Sequence, residues 1–329
     1  MTLKFALLLV NLLVGADLSQ VVLAQVPAQP MPATTSDGWT LAFDDEFNGN
    51  ALDASKWTIY RDCWGGGNYE RQCYTGRPEN ISVHDGALDL TARFETATGP
   101  ALSADLRTPG VTPPSATKPF TSGKISTKGK FSFTYGRVEV RAKLPIGQGV
   151  WPAIWLLPEN FVYGPWPASG EMDVMEAVNV GVHCVDCPGG VQNNIYGTIH
   201  YGGDQHHQWQ QKGVQLSKNT EAEWHVYRMD WAPDRITWYL DGKEYNEIKL
   251  ANWRPKLMQN KTEIAPAIVN APFDRPFHLI LNFAVGGQWP EGHDLGGVAL
   301  ADYPKNFSID WVHIYQCAAT LTKAGECVR

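Results

Sequence analysis

Basic residues are the scarce component of this chain: 27 Lys and Arg stand against 34 Asp and Glu, a net charge of −7 over 329 residues. That balance argues against nucleic acid or an anionic membrane surface as the partner, and it counts mildly against a heavily sulfated ligand. Beyond the N-terminus no apolar run is long enough to cross a bilayer. Long amphipathic helical patterns, internal repeats and βαβ patterns are all missing. Cysteine is limited to six residues. Cys184-x-x-Cys187 has no second CxxC or His pair at zinc-site spacing, which argues against a zinc centre, and no βαβ surround to make it a redox dithiol.

Aromatic residues are plentiful, with 13 Trp, 12 Tyr and 12 Phe, and so are turn formers, with 31 Gly and 22 Pro. This composition suits many short strands joined by turns. Residues 1–24 read as a secretory signal peptide: Lys4 is followed by an apolar stretch from Phe5 to Val14 broken only by Asn11, and Val22-Leu23-Ala24 offers a small-residue cleavage site. A cut after Ala16 is the alternative. Residues 25–37 form a Pro-, Ala- and Thr-rich leader, and residues 38–329 read as one domain. The expected product is a monomeric protein, secreted or periplasmic. Export makes disulfides plausible, and the cysteines fall into the sequence-local pairs Cys63/Cys73, Cys184/Cys187 and Cys317/Cys327, although six cysteines permit fifteen connectivities. Asn80, Asn260 and Asn306 head glycosylation sequons.

From Trp39 onward, short alternating segments recur, such as Ala87 to Arg93, Arg137 to Lys143 and Arg235 to Leu240, the last followed by the hairpin signal Asp241-Gly242. Phe277 to Val285 and Phe307 to Tyr315 add two apolar strands. The spacing predicts an all-β sandwich of two antiparallel sheets. Gly99 to Pro119, rich in Pro, Ser and Thr, reads as a surface insertion.

Glu171-Met172-Asp173-Val174-Met175-Glu176 concentrates the chemistry. On a regular strand Glu171 and Asp173 share a face and Glu176 points away from it. One extra residue, a β-bulge, would turn Glu176 back beside them. Three carboxyls along one strand suit acid/base and nucleophilic work on a glycosidic bond. A solvated charged edge is the plainer reading, but Met172, Val174, Met175 and Ala177 alternate with the acids. Three packed acids cannot all ionise cheaply, so one pKa should rise. Even with the bulge, ideal strand geometry leaves Glu171 and Glu176 roughly 13 Å apart at Cα, so their carboxyls must converge by strand curvature and side-chain leaning.

Gly170 to Glu176 resembles the catalytic strand of glycoside hydrolase family 16, in the bulged form of laminarinase-type endo-β-1,3-glucanases. Tyr74 to Asn80, Thr121 to Ile125, Tyr135 to Lys143, Gly149 to Trp155, Gly197 to Gly203, Leu281 to Gly287 and Ile309 to Val312 are similar to laminarinase segments, in order. The resemblance implies a jelly-roll β-sandwich with a concave cleft, and endo-hydrolysis of β-glucan with retention of configuration. Glu171 falls on the nucleophile, Glu176 on the acid/base and Asp173 on the acid between them. His200, Trp151, Trp155, Trp166 and Trp289 fall in cleft-lining segments, and Asn68 in a Gly-rich loop near the non-reducing side. Trp57, Trp224, Trp231, Trp238, Trp253 and Trp311 are assigned to packing. No catalytic cofactor is implied. A structural calcium on the convex side would be held by Glu46, the backbone of Gly86, and Asp310. Tyr69 stands where the family commonly shows a second Asn. Mixed-linkage glucanase, agarase-like and transglycosylase activities share the retaining intermediate and stay open, as does glucan binding without cleavage. The bulged motif counts against a dedicated lichenase, and the charge and the Trp151/Trp155 segment against a carrageenase.

Overall fold

Strand Gly136–Lys143 shows why the chain folds as it does: Val138, Val140 and Ala142 are fully buried, while the charged residues between them lie toward the other face. Repeated along the chain, this alternation builds two sheets over one hydrophobic core. The computed structural model describes residues 38–203, 206–217, 223–249, 257–259, 262–264, 270–292, 297–317, 320–321 and 327–328. The proposed signal peptide and leader, Trp253 and Asn260 lie outside the described residues.

One sheet runs through strands Lys243–Lys249, Arg235–Leu240, His225–Ala232, Gly136–Lys143, Lys305–Cys317, Ala87–Pro100, Ser115–Ser122 and Gln72–Tyr74. Trp39–Asp45 adds to Lys305–Cys317, and Ile81–His84 to Ala87–Pro100. The other has the order His206–Gln215, Asn194–Gly203, Glu171–Ala177, Val150–Pro158, Phe277–Val285, Lys124–Ser126 and Thr58–Ile59. The second sheet is antiparallel throughout, as expected. The first departs from expectation at one place, where Gln72–Tyr74 and Ser115–Ser122 pair in parallel. A parallel pair needs a long crossover, and here the intervening strands supply it. The sole α-helix among the described residues is the single turn Gln288–Glu291.

The three local disulfides form as paired in sequence. Asn80 has no accessible surface, and its amide donates to the Thr91 carbonyl and to Thr121 Oγ1, so that sequon cannot be modified in the folded protein. Trp57, Trp231 and Trp238 are core residues as assigned. Trp224 and Trp311 are not: both are half-buried, the first beneath the Arg141 and Lys143 cations and the second stacked on His313.

Trp238 does more than fill space. Its Nε1–H crosses between the sheets and donates to the main-chain carbonyl of Asp173 at 2.8 Å. The approach depends on Gly197, where a Cβ would lie 2.4 Å from Trp238 Cδ1 and 2.6 Å from Cγ. A methyl at Gly197 therefore overpacks the core. Gly197→Ala is expected to cost about 1–3 kcal/mol of stability, read as a lowered melting temperature, whereas Gly49→Ala, with no neighbouring atom closer than 3.5 Å, leaves it unchanged.

Candidate active site

Between strand Glu171–Ala177 and its neighbour, Asp173 pairs with Thr198 but Glu176 pairs with Tyr196, so three steps on one strand meet two on the other. On the opposite side Asp173 pairs with Trp155 and Met175 with Ile154. The extra residue is thus inserted directly after Asp173, at Val174. Both Val174 and Met175 are buried, and Glu176 returns to the face that carries Glu171. The expected bulge is present, and beside it Trp238 donates to the Asp173 carbonyl.

The registers place side chains in rows across the sheet. One row runs Trp209, His200, Glu171; a second runs Gln211, Thr198, Asp173, Trp155, Ile280; a third runs Gly213, Tyr196, Glu176, Ala153, Asn282, Lys124. Residues from all three line one cleft of about 760 Å³. The cleft therefore crosses the strands rather than following one.

Each glutamate receives an indole N–H: Trp166 Nε1 donates to Glu171 at 2.5 Å and Trp151 Nε1 to Glu176 at 3.0 Å. His200 Nε2 lies 3.2 Å from Asp173 Oδ2, and His200 Nδ1 is 2.8 Å from His207 Nε2. Donor atoms of Glu171, Asp173 and His200 all fall within 4.8 Å of one another. Burial pushes the Asp173 carboxyl up to about 7, helped by the charge of Glu171. Burial, followed by the charge of Asp173, pushes Glu176 up to about 8. Burial also raises Glu171, against the opposing pull of His200. Burial disfavours charge on His200, but Glu171, Asp173 and Glu176 outweigh it and raise the imidazole to about 10. An imidazole set against three buried carboxyls, one ionisable group beside the next, is an arrangement suited to acid/base work.

The remaining cleft expectations sort as follows. Trp155 Nε1 donates to Asn282 Oδ1 at 2.6 Å, and Trp289 meets Trp151 edge to face at 5.5 Å. Asn68 lines the same cleft, its carbonyl accepting from Gln288 N at 2.8 Å. Tyr69 is 77% exposed and stands outside the lining. The Gly99–Pro119 segment is less peripheral than a surface insertion. Its ends join strands Ala87–Pro100 and Ser115–Ser122, and Ser103, Asp105 and Leu106 wall one end of the cleft. Asp105 is held there by Tyr60 OH at 3.1 Å and Lys128 Nζ at 3.0 Å.

Among the lining residues that sequence reasoning missed, four carry ionisable or aromatic side chains close to the acids or the cleft floor. His207 and Trp209 sit on the edge strand, where only the alternation His207, Trp209, Gln211 in phase with His200 could have signalled them. Lys124 is buried with its ammonium 4.7 Å from the Tyr60 ring centre and 4.9 Å from that of Trp155. Glu70 is buried and bonded by Gln72 Nε2 at 2.7 Å. The calcium set does not fit a cation as it stands. Asp310 already takes the Arg141 guanidinium and Glu46 takes His313 Nε2, so both carboxylates face protein partners, one of them permanently charged.

The sequence signature of "Glycosyl hydrolases family 16" matches residues 68–289. A glucan endo-1,3-beta-glucosidase A1 of Niallia circulans is 38% identical over 85% of this chain, which spans 38% of that protein's length. The laminarinase of Rhodothermus marinus superposes with a TM-score of 0.65 at 34% identity, covering 84% of this chain and 97% of that one. A structure from work on endo-acting O-glycanases of the human gut microbiota gives 0.69 at 32% identity, covering 87% and 93%.

The raised carboxyls fix the sign of a pH dependence. From about pH 4, up to about 7 for Asp173 and about 8 for Glu176, the folded carboxyls hold protons that the unfolded chain has released, so their contribution to stability falls as pH rises through those windows. His200, raised from 6.5 to about 10, acts in the same sense: its stabilisation is complete below about 6.5 and lost toward 10. Glu176→Gln is therefore expected to be more stable than the parent at pH 8–9, with a flatter stability profile in denaturant unfolding. An unchanged or steeper profile would show that Glu176 titrates normally.

Proposed function

The chain belongs to glycosyl hydrolases family 16, and from that we propose that it is an endo-acting, retaining β-1,3-glucanase that cleaves internal bonds of laminarin-like or cell-wall glucans. The observation that carries the reading is the bulge at Val174, which turns Glu171 and Glu176 into one cleft. In this reading Glu171 attacks the anomeric carbon while Glu176, protonated by virtue of its burial, gives its proton to the departing glycosidic oxygen. The glucosyl–Glu171 ester is then opened by water, whose proton returns to Glu176. The His200 charge and the Trp166 N–H both favour ionised Glu171. Asp173 serves as the neighbour that keeps the two glutamates in different protonation states.

The reaction requires no cofactor, and calcium has no part in it. Trp151, Trp155, Trp166 and Trp289 are assigned to sugar faces, their rings covering C–H surfaces while polar rims stay wet. Export as a monomer, with residues 1–24 removed, completes the proposal. Both glutamates and their indole donors weigh against a protein that only binds glucan.

Product analysis on laminarin and on mixed-linkage glucan tests the reading. Short oligomers are expected from laminarin, with Glu171→Gln inactive and Glu176→Gln reduced about 10²–10⁴-fold in kcat. Preferential attack on the mixed-linkage polymer would move the assignment to a β-1,3(4)-glucanase, and an active Glu171→Gln would remove the nucleophile.

A further inference from the structure

Because the cleft crosses the strands, its extent on either side of the catalytic strand is set by how many strands flank it. Strand Glu171–Ala177 is third from the edge strand His206–Gln215 and fifth from Thr58–Ile59. At 4.7–4.9 Å per strand, the floor reaches about 10 Å one way and about 19 Å the other. The short side ends on the edge strand, with Trp209 in the row of His200 and Glu171.

Trp209 is 60% exposed, yet its ring belongs to a continuous aromatic series leading out from the catalytic centre. Trp166 and His207 ring centres are 4.7 Å apart, and His207 and Trp209 5.4 Å apart. Gln211, two residues on and on the same face, supplies a polar group at the rim. An indole left this open gains little from the protein itself. It presents an apolar face beside polar neighbours, the combination that a pyranose ring matches. Resting on the glucanase reading, we propose that Trp209 is the stacking platform of an outer sugar subsite at the short end of the cleft. It would take a glucosyl unit beyond those held at the catalytic centre, with Gln211 directed to that unit's hydroxyls. His207, whose Nε2 lies 2.8 Å from His200 Nδ1, joins this platform to the acids, its ring between those of Trp166 and Trp209.

A platform of this kind acts on binding and on chain register, not on bond breaking. Trp209→Ala and Trp209→Phe in the full chain are compared on a series of β-1,3-gluco-oligosaccharides labelled at the reducing end. For the alanine variant the expected result is about a tenfold rise in KM on substrates long enough to reach the edge strand. That loss should grow with chain length, and the cleaved bond should shift along the labelled oligomers. Phenylalanine should recover most of the KM and the original bond choice. The same loss at every length, a loss carried by kcat alone, or an unchanged cleavage pattern would overturn the proposal. If the parent protein leaves laminarin intact, the glucanase reading falls, and the platform is judged by calorimetric titration with a β-1,3-glucohexaose. Weaker binding by Trp209→Ala supports it, and equal binding overturns it.

Discussion

A single inserted residue at Val174 governs what the second sheet can do. Without it the strand would present Glu171, Asp173 and Met175 to the cleft and bury Glu176 in the core, where an acid has neither partner nor purpose. At the insertion the Asp173 carbonyl accepts from Trp238, and a main-chain carbonyl left without a partner in a dry interior costs about 1–3 kcal/mol. Trp238 reaches across from the other sheet to make that bond, and Gly197 gives way for its ring. The sandwich is thus coupled through its middle: the sheet that carries none of the three cleft acids fixes the shape of the strand that carries them.

The electrostatics follow from the same placement. Met172, Val174 and Met175 make the surroundings of the acids apolar, and burial is the first cause of every raised carboxyl in the cluster. His200 counters with a positive charge beside them. Indole N–H groups then separate the two glutamates into distinct environments, one beside Trp166 and the imidazole, the other beside Trp151 and Trp289. Two chemically identical side chains thus have different neighbours, the condition under which their ionisation can diverge.

Much of this was legible in the order of residues. The alternation of Arg137 to Lys143 marked a strand with one dry face, and Glu171, Asp173 and Glu176 at spacings of two and three demanded an irregular ladder. Local cysteine pairs closed as neighbours in sequence do. Other features resisted because they depend on pairing between distant segments. Nothing within Gln72–Tyr74 announces that it pairs in parallel with Ser115–Ser122. Trp224 and Trp311 look like core residues until the cations and imidazole beside them are seen. Lys124 carries no local signal and Trp209 only the alternation of its own strand, since their meaning lies in which residue stands opposite on the next strand. Asp310 and Glu46 are ligand candidates only through the family resemblance, and they are occupied by Arg141 and His313.

The crossing of cleft and strands has a consequence for how such a molecule can change. A bound polymer lying perpendicular to the ladder meets a fresh strand at each step, and each strand offers its own set of alternating positions. Replacing one outward-facing residue alters a single point of contact and leaves the hydrogen-bonded frame intact, while an extension at the Ser103 to Leu106 wall or along the His206–Gln215 border lengthens or shortens the track. Diversification can therefore proceed from the margins inward, with the three-acid strand held constant as its margins are rewritten.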